Sequence, residues 1–451
     1  MRRSVSGQCE ERIVRALRKN LQLGLCLILA TLAAASMWFY VDRILVAYQV
    51  ADAAVHDRPR GNLSDLFPRW LGARELLLHG RNPYSREINL ETQKGYYGRA
   101  LDPSRPDDPK DQQGFAYPVY VVFILAPLIG LSFHDVQIIF RWLLIVLTAG
   151  SVLLWLRALR WRWPVLAVAI AMMLTLGSVP AVQGIKLQQL SLLVAALLAS
   201  AGACVASGYL FCGGALLALA TIKPQLAWPV IAWLLVWALS DWKARRRLLV
   251  GFTATMGVLL TGAEIVLPGW WRMFLQAIRQ YHQYTHNESV LDQLFNWMIG
   301  RFGGDILATL SVLIAGLALW TMRKQPANSA EFGRALAVVL ALTVLIVPMY
   351  APYNQVLLLP AILSLVREWP ALVIASRAAR IVYAATALAF AWQWIATIAL
   401  TVTWFASPVE ALKMWKLPFY ATFTLPVLVF VLALLSANIN SDVLRFRKMA
   451  E

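Results

Sequence analysis

The sequence predicts an all-α, polytopic membrane protein, and three observations predict it. Of 451 residues, 59% are apolar and 14% charged, against about 45–50% and about 25% in soluble chains. Apolar runs recur along the chain and often reach about 20 residues, enough for a helix to cross a hydrocarbon core of about 30 Å. Lys and Arg gather in six segments between those runs: the N-terminal tail, Arg157 to Arg162, Lys243 to Arg247, Arg323 to Arg334, Arg367 to Arg380 and Arg445 to Lys448. Together these features exclude a soluble enzyme, a single-anchor receptor and a disordered chain. Outer-membrane strands would instead alternate over segments of ~10 residues.

The net charge of +17 reads as basic loops meeting anionic lipid rather than as a nucleic-acid footprint. Arg12, Arg15, Arg18 and Lys19 precede an apolar stretch from Leu21 to Val41. That stretch is too long for a signal peptide, so a retained first helix is expected. Cys9, Cys26, Cys204 and Cys212 form no CxxC pair, which supports neither a disulfide framework nor a cysteine metal site.

Spans are expected near 21–41, 118–132, 135–156, 164–182, 187–206, 208–221, 224–240, 248–267, 305–321, 335–351, 354–366, 380–402 and 418–436, with about 12 crossings in all. Residues 1–20 read as a cytoplasmic tail. Residues 21–451 read as one transmembrane domain with outer loops at 42–117 and 268–304. If both 118–132 and 135–156 cross, Arg157 to Arg162 fall on the wrong side, so one of them is expected to be re-entrant or a later short span not to cross.

The first outer loop holds 11 of the 24 acidic residues. Within it, Leu66, Phe67, Trp70, Leu71, Leu77 and Leu78 share one helical face, while Asp65, Arg69, Gly72, Glu75 and His79 share the other. This predicts an amphipathic interfacial helix over 65–79, capped by Ser64 or Asp65 and ended by Gly80. Arg74 interrupts the apolar stripe, either snorkelling or meeting a lipid phosphate. The Asp-, Pro- and Gln-rich stretch from Leu101 to Gly114 reads as mobile.

Nucleotide-binding, zincin and serine-hydrolase signatures are absent, and no cofactor or metal is expected. His282 and His286 have helical metal-ligand spacing but lack an obvious third ligand. Spans nearly devoid of carboxylates argue against proton-coupled transport. Lys186 and Lys223 lie between apolar runs, where an ammonium must snorkel or pair with an anion. Their neighbours Gln189 and Gln225 carry amides suited to sugar hydroxyls. Trp270 and Trp271, with Arg272 and Arg279, read as an interfacial anchor.

Several pieces, in order, resemble a known family. They are Asp65, the run Ala73-Arg74-Glu75-Leu76-Leu77-Leu78-His79-Gly80-Arg81-Asn82-Pro83-Tyr84, then Phe115-Ala116-Tyr117-Pro118-Val119-Tyr120 leading into Ala126-Pro127-Leu128. Gln189-Leu190-Ser191-Leu192-Leu193 and Ile222-Lys223-Pro224-Gln225 follow. They resemble glycosyltransferase family 87, which includes polyprenol-phosphate-mannose-dependent α-(1→2)-mannosyltransferases of the GT-C membrane fold. The likeness covers roughly residues 60–270. The family commonly has Gly where this chain has Gln188, and an aromatic pair where it has Arg69-Trp70.

The resemblance implies transfer of a hexose, mannose by default, from a polyprenyl-phosphate sugar to a lipid- or glycan-linked acceptor. The reaction would lie on the outer face of the cytoplasmic membrane. It also implies Asp65 as catalytic base, with Asp42 and Asp52 as rivals. Lys223, then Arg74 and Lys186, would meet the donor phosphate, and Gln189, Gln225, Tyr353 and Asn354 would contact sugar or acceptor. The alternative is a lipid or polysaccharide transporter or flippase.

Overall fold

The computed structural model describes residues 2–437 apart from Leu63, Pro103, residues 285–287 and Met349; His286 therefore lies outside the described residues. Helix α1 (Arg2–Tyr40) starts inside the basic tail and passes through a π-helical turn, Val41–Leu45, into α2 (Val46–Val55). The first apolar run thus belongs to a helix reaching well beyond Val41.

The long segment 42–117, after the first apolar run, folds into α3 (Phe67–His79) and α4 (Arg86–Tyr97). Gly80, with φ 66°, ends α3 as expected. Neither Ser64 nor Asp65 caps its start; the capping position is Leu66, which has no side-chain hydrogen bond. Nor does α3 lie open on an interface. Leu66, Phe67 and Trp70 are buried, and the latter two rings pack against Phe133, edge-on at 4.8 Å and tilted at 5.2 Å. On the opposite face Gly72 meets Phe115 so closely that a Cβ would clash with the ring. Glu75, also buried, accepts from Arg81 at 2.7 Å, and Arg81 reaches Glu91 of α4 at 2.6 Å.

The stretch from Leu101 to Gly114 is tied down rather than loose. Arg99 pairs with Asp108 at 2.5 Å, Leu101 N donates to Gln93 at 3.0 Å, and the Tyr97 hydroxyl donates to the Asp111 carbonyl at 2.8 Å. Asx turns at Asp102 and Asp111 satisfy the backbone that periodic structure would otherwise pair.

The run at 118–132 does not form one long helix. Here α5 (Val121–Leu125) has 5 residues and runs into a single turn, Ala126–Leu128, far short of a crossing. The long helix is α6 (Phe133–Ala158). Next come α7 (Val165–Leu176) and α8 (Val179–Lys186), bent by 59° at Gly177-Ser178. Then follow α9 (Leu190–Ala206), α10 (Leu210–Ala220), α11 (Pro224–Leu239) and α12 (Trp242–Val266). Short α10 packs tightly on α12, where a Cβ on Gly214 would clash with the Leu248 carbonyl and one on Gly251 with the Phe211 carbonyl.

The segment 268–304 contains α13 (Trp270–Tyr284) and α14 (Val290–Ile299). The chain closes with α15 (Gly303–Met322), α16 (Ala330–Ile346), a 3-10 segment (Pro352–Leu358), α17 (Leu359–Ala375), α18 (Arg377–Ala406), α19 (Pro408–Lys413) and α20 (Thr424–Ala437). Trp270 is not a bare anchor: it is 7% exposed and packs edge-on against Tyr120. Among the described residues there is no strand, and 7 helices are long and apolar enough to cross a membrane, or 8 with the bent α7–α8 pair. The chain is thus an all-helical multi-pass membrane protein. The expected dozen crossings exceed this number because α9, α10, α11 and α16 are shorter, at 17, 11, 16 and 17 residues.

Candidate functional site

Four short turns converge where helices end early. The start of the outer loop reaches the α8–α9 turn through a backbone bond, Asp65 N to the Leu187 carbonyl at 2.9 Å. That turn is tight: Gln188 has φ 48°, in the left-handed region where a side chain is unfavourable and glycine is at ease. The Gln188 amide steadies it by donating to the Ile185 and Lys186 carbonyls at 3.1 and 2.7 Å. The next residue, Gln189, is thereby aimed at Asp65.

Lys223 sits in the α10–α11 turn, at the capping position before α11, and is 7% exposed. Its ammonium donates to Gln189 Oε1 at 3.2 Å and Ser191 Oγ at 2.5 Å, and stands 5.2 Å from the Tyr353 ring. Ser191 in turn donates to Asn354 Oδ1 at 2.9 Å. The other end of the Gln189 amide donates to the Asp65 carboxylate. One glutamine therefore bridges an acid and a base that lie 158 positions apart in sequence.

Asp65, Gln189, Lys223, Tyr353 and Asn354 line a cavity of about 320 Å³, together with Arg69, Asp111, Gln113, Tyr117, Gln225, Tyr281 and His282, a size within the usual range for ligand sites; Ser191 lies behind Lys223. Arg69 follows Asp65 by one helical turn. It donates to the Asp65 carbonyl at 2.6 Å and lies over the Tyr117 ring at 4.5 Å. Burial raises the Asp65 carboxyl above the usual carboxylate range. Arg69 pulls it back, Asp111 pushes it up again, and Lys223 and the Gln189 amide lower it. Burial also raises Asp111. Burial lowers the Lys223 ammonium. The cavity thus holds two carboxyl groups, the Arg69 guanidinium and the Lys223 amine, with amide and phenol groups between them.

Of the residues singled out from sequence, Asp65, Lys223, Gln189, Gln225, Tyr353 and Asn354 meet here. Arg74 does not line the cavity; its guanidinium lies 5.4 Å from the Trp70 ring. Lys186 is likewise turned aside, paired with Asp42 and placed 5.3 Å from the Trp38 ring. Asp52 pairs with Arg58 at 2.6 Å. Arg69, Asp111, Gln113, Tyr117, Ser191 and Tyr281 were not foreseen as site residues. Arg69 carried a signal in sharing a helical face with Asp65, and Tyr117 and Ser191 in lying within the family-like runs.

A family model, glycosyltransferase family 87, matches residues 115–348, just over half of the chain. The chain belongs to glycosyltransferase family 87. No curated protein and no solved structure matches it. The matched stretch of this family includes the turns that carry Gln189, Lys223 and Gln225, whereas Asp65, Arg69, Tyr353 and Asn354 lie outside it. Membership with the helical architecture makes the chain a membrane glycosyltransferase, acting on donor and acceptor substrates beside membrane lipid.

Proposed function

We propose that this chain transfers a hexose, mannose by default, from a polyprenyl-phosphate sugar to a hydroxyl of a lipid- or glycan-linked acceptor, by a single inverting displacement. The observation that carries the reading is the bridge from Asp65 through Gln189 to Lys223 in one cavity. In the reaction the acceptor oxygen attacks the sugar C1 and gives its proton to the Asp65 carboxylate. The C1–O bond to phosphate breaks, and the polyprenyl phosphate leaves with the electron pair. Lys223 and Arg69 stabilise the charge that collects on that phosphate. Gln189 positions acid and base, while Gln225, Tyr353 and Asn354 contact sugar or acceptor. The phosphate is a good leaving group, so no strong general acid is needed.

A lipid-borne donor is supported by the 3-10 segment Pro352–Leu358, which borders two environments. Tyr353 and Asn354 line the polar cavity, whereas Val356 and Leu358 line an apolar cavity of about 310 Å³ with α7, α17 and α18. That apolar cavity suits part of a prenyl chain.

The orientation follows from the basic segments. With α5 not crossing, we count α1, α6, the α7–α8 pair, α9 to α12, α15 to α18 and α20 as crossings. All six basic segments then share the cytoplasmic side, and the turns bearing Asp65, Gln189, Lys223 and Tyr353 share the outer side.

The test is a membrane assay with a labelled polyprenyl-phosphate sugar. Asp65→Asn should reduce transfer by about 10²–10⁴-fold at unchanged expression. Transfer at the wild-type rate would remove Asp65 as the base. Label crossing the bilayer without a covalent product would favour the transporter reading instead.

A further inference from the structure

A second cavity adjoins the first, separated from it by one thickness of chain. Gly114 and Ala116 line both. The outer one is larger, about 510 Å³ against about 320 Å³, and its other walls come from the α3–α4 connection and from α13.

Helix α13 serves both cavities by having two faces. Phe274, Ile278 and Tyr281 line the first cavity, and Gln276, Gln280 and Gln283 line the second. Both sets repeat at intervals of three and four, the spacing of one helical stripe. Asn89 and Gln112 face the glutamines from the other wall. The described lining therefore contains five side-chain amides, one cation in Arg86 and no carboxylate.

That composition selects a ligand. A phosphate would call for several cations, and a lipid chain for an apolar wall. Amides offer a donor and an acceptor on the same group, which matches hydroxyls that also do both. Asn89 Oδ1 is buried without a partner, and its Nδ2 has only a 3.5 Å approach to Gln112 Oε1. An unpaired buried amide oxygen is uncommon in a folded protein and is satisfied by a bound donor.

We propose that the amide-lined cavity is a second sugar subsite, which holds the neighbouring residue of a neutral glycan while its terminal sugar sits beside Asp65. The acceptor is then an oligosaccharide-bearing molecule rather than a single sugar or a bare lipid headgroup. This rests on reading the first cavity as the transfer site.

The test uses the full chain in lipid nanodiscs, titrated with free neutral sugars: α-mannotriose, maltotriose and cellotriose, each beside its monosaccharide. At least one trisaccharide should bind about tenfold tighter than its monosaccharide, the size of one or two neutral hydrogen bonds. Gln276→Leu/Gln280→Leu should abolish that advantage; both residues are exposed on α13, so the fold is kept, which thermal unfolding checks. Asn89→Leu, from the opposite wall, should do the same. Equal affinity for mono- and trisaccharide across the panel, or an advantage that survives both variants, overturns the subsite. Asp65→Asn run in parallel separates the two readings. Its oligosaccharide binding should persist while transfer is lost; retained transfer would remove the base assignment and leave the binding result to stand or fall alone.

Discussion

Lys223 is held by neutral atoms: an amide oxygen, a serine hydroxyl and the face of a phenol. A nearly buried ammonium with such partners is costly to the fold, because no hydrogen-bonded anion offsets its lost hydration. Its placement makes sense if an anion arrives with the substrate. Lys223→Met should therefore lower transfer by about 10²-fold without lowering the thermal midpoint, a split that a merely structural lysine would not give. The same variant has a signature in pH. Burial raises the Asp65 carboxyl, so the acid limb of kcat/KM should lie above the ordinary carboxylate value of about 4. Lys223 favours the ionised form of Asp65; without it the proton is held more tightly, and the acid limb should move to higher pH. An unmoved limb would mean that Asp65 is not the titrating base. Lys223 was legible in sequence because an ammonium between apolar runs conflicts with its surroundings, whereas Asp65 was singled out through the family resemblance. Asp111, Gln113 and Tyr117 lie in a segment without periodicity, where nothing in the sequence says which side chains turn inward.

Among the elements, the α8–α9 turn decides where Gln189 points. Its left-handed residue is Gln188, at φ 48°, a conformation that glycine adopts with less strain. The side chain compensates for the backbone by donating to two carbonyls of the same turn, while its own Oε1 is buried without a partner. Gln188→Gly exchanges those bonds for conformational ease and should change transfer by less than about threefold. Gln188→Val places a β-branched residue where about 1–3 kcal/mol of backbone strain has no compensating bonds. It should lower the thermal midpoint and cut transfer through a misplaced Gln189. Equal behaviour of the two variants would mean that turn conformation does not govern the site. Long apolar elements were readable, as α6, α12 and α18 show. The stretch 118–132 was not, because an apolar run interrupted by Pro118 and Pro127 has the hydropathy of a span but the geometry of a turn. Helix α3 was found, yet its surroundings were misjudged: the Phe115 and Phe133 that cover it are distant in sequence.

The molecule as a whole is braced at the end of the bundle away from the cavity. Arg334, near the start of α16, donates to Glu368 of α17 at 2.8 Å, and Ser436 of α20 donates to the same carboxylate. Arg245 closes another corner, giving hydrogen bonds of 2.8–3.1 Å to the carbonyls of Trp237, Arg323, Lys324 and Gln325. The basic segments that contain these arginines were legible as breaks between the apolar runs. Which of their members turn inward was not, since Glu368 lies 34 positions from Arg334 and only packing joins them. Val347, which lines the cavity, lies about 20 Å from Arg334 along the axis of α16 at 1.5 Å per residue. The brace should therefore govern stability without touching catalysis. Glu368→Ala leaves a buried guanidinium unpaired and should cost about 3–5 kcal/mol, read as a lower thermal midpoint in detergent. The double variant Arg334→Met/Glu368→Leu removes both charges and should recover most of that loss, because a buried ion pair is often replaceable by apolar groups of like size. In the fraction that remains folded, KM for the acceptor should equal the wild-type value for both variants. A double variant no more stable than Glu368→Ala alone would show that the ion pair itself, and not the avoidance of a lone charge, holds α16, α17 and α20 together.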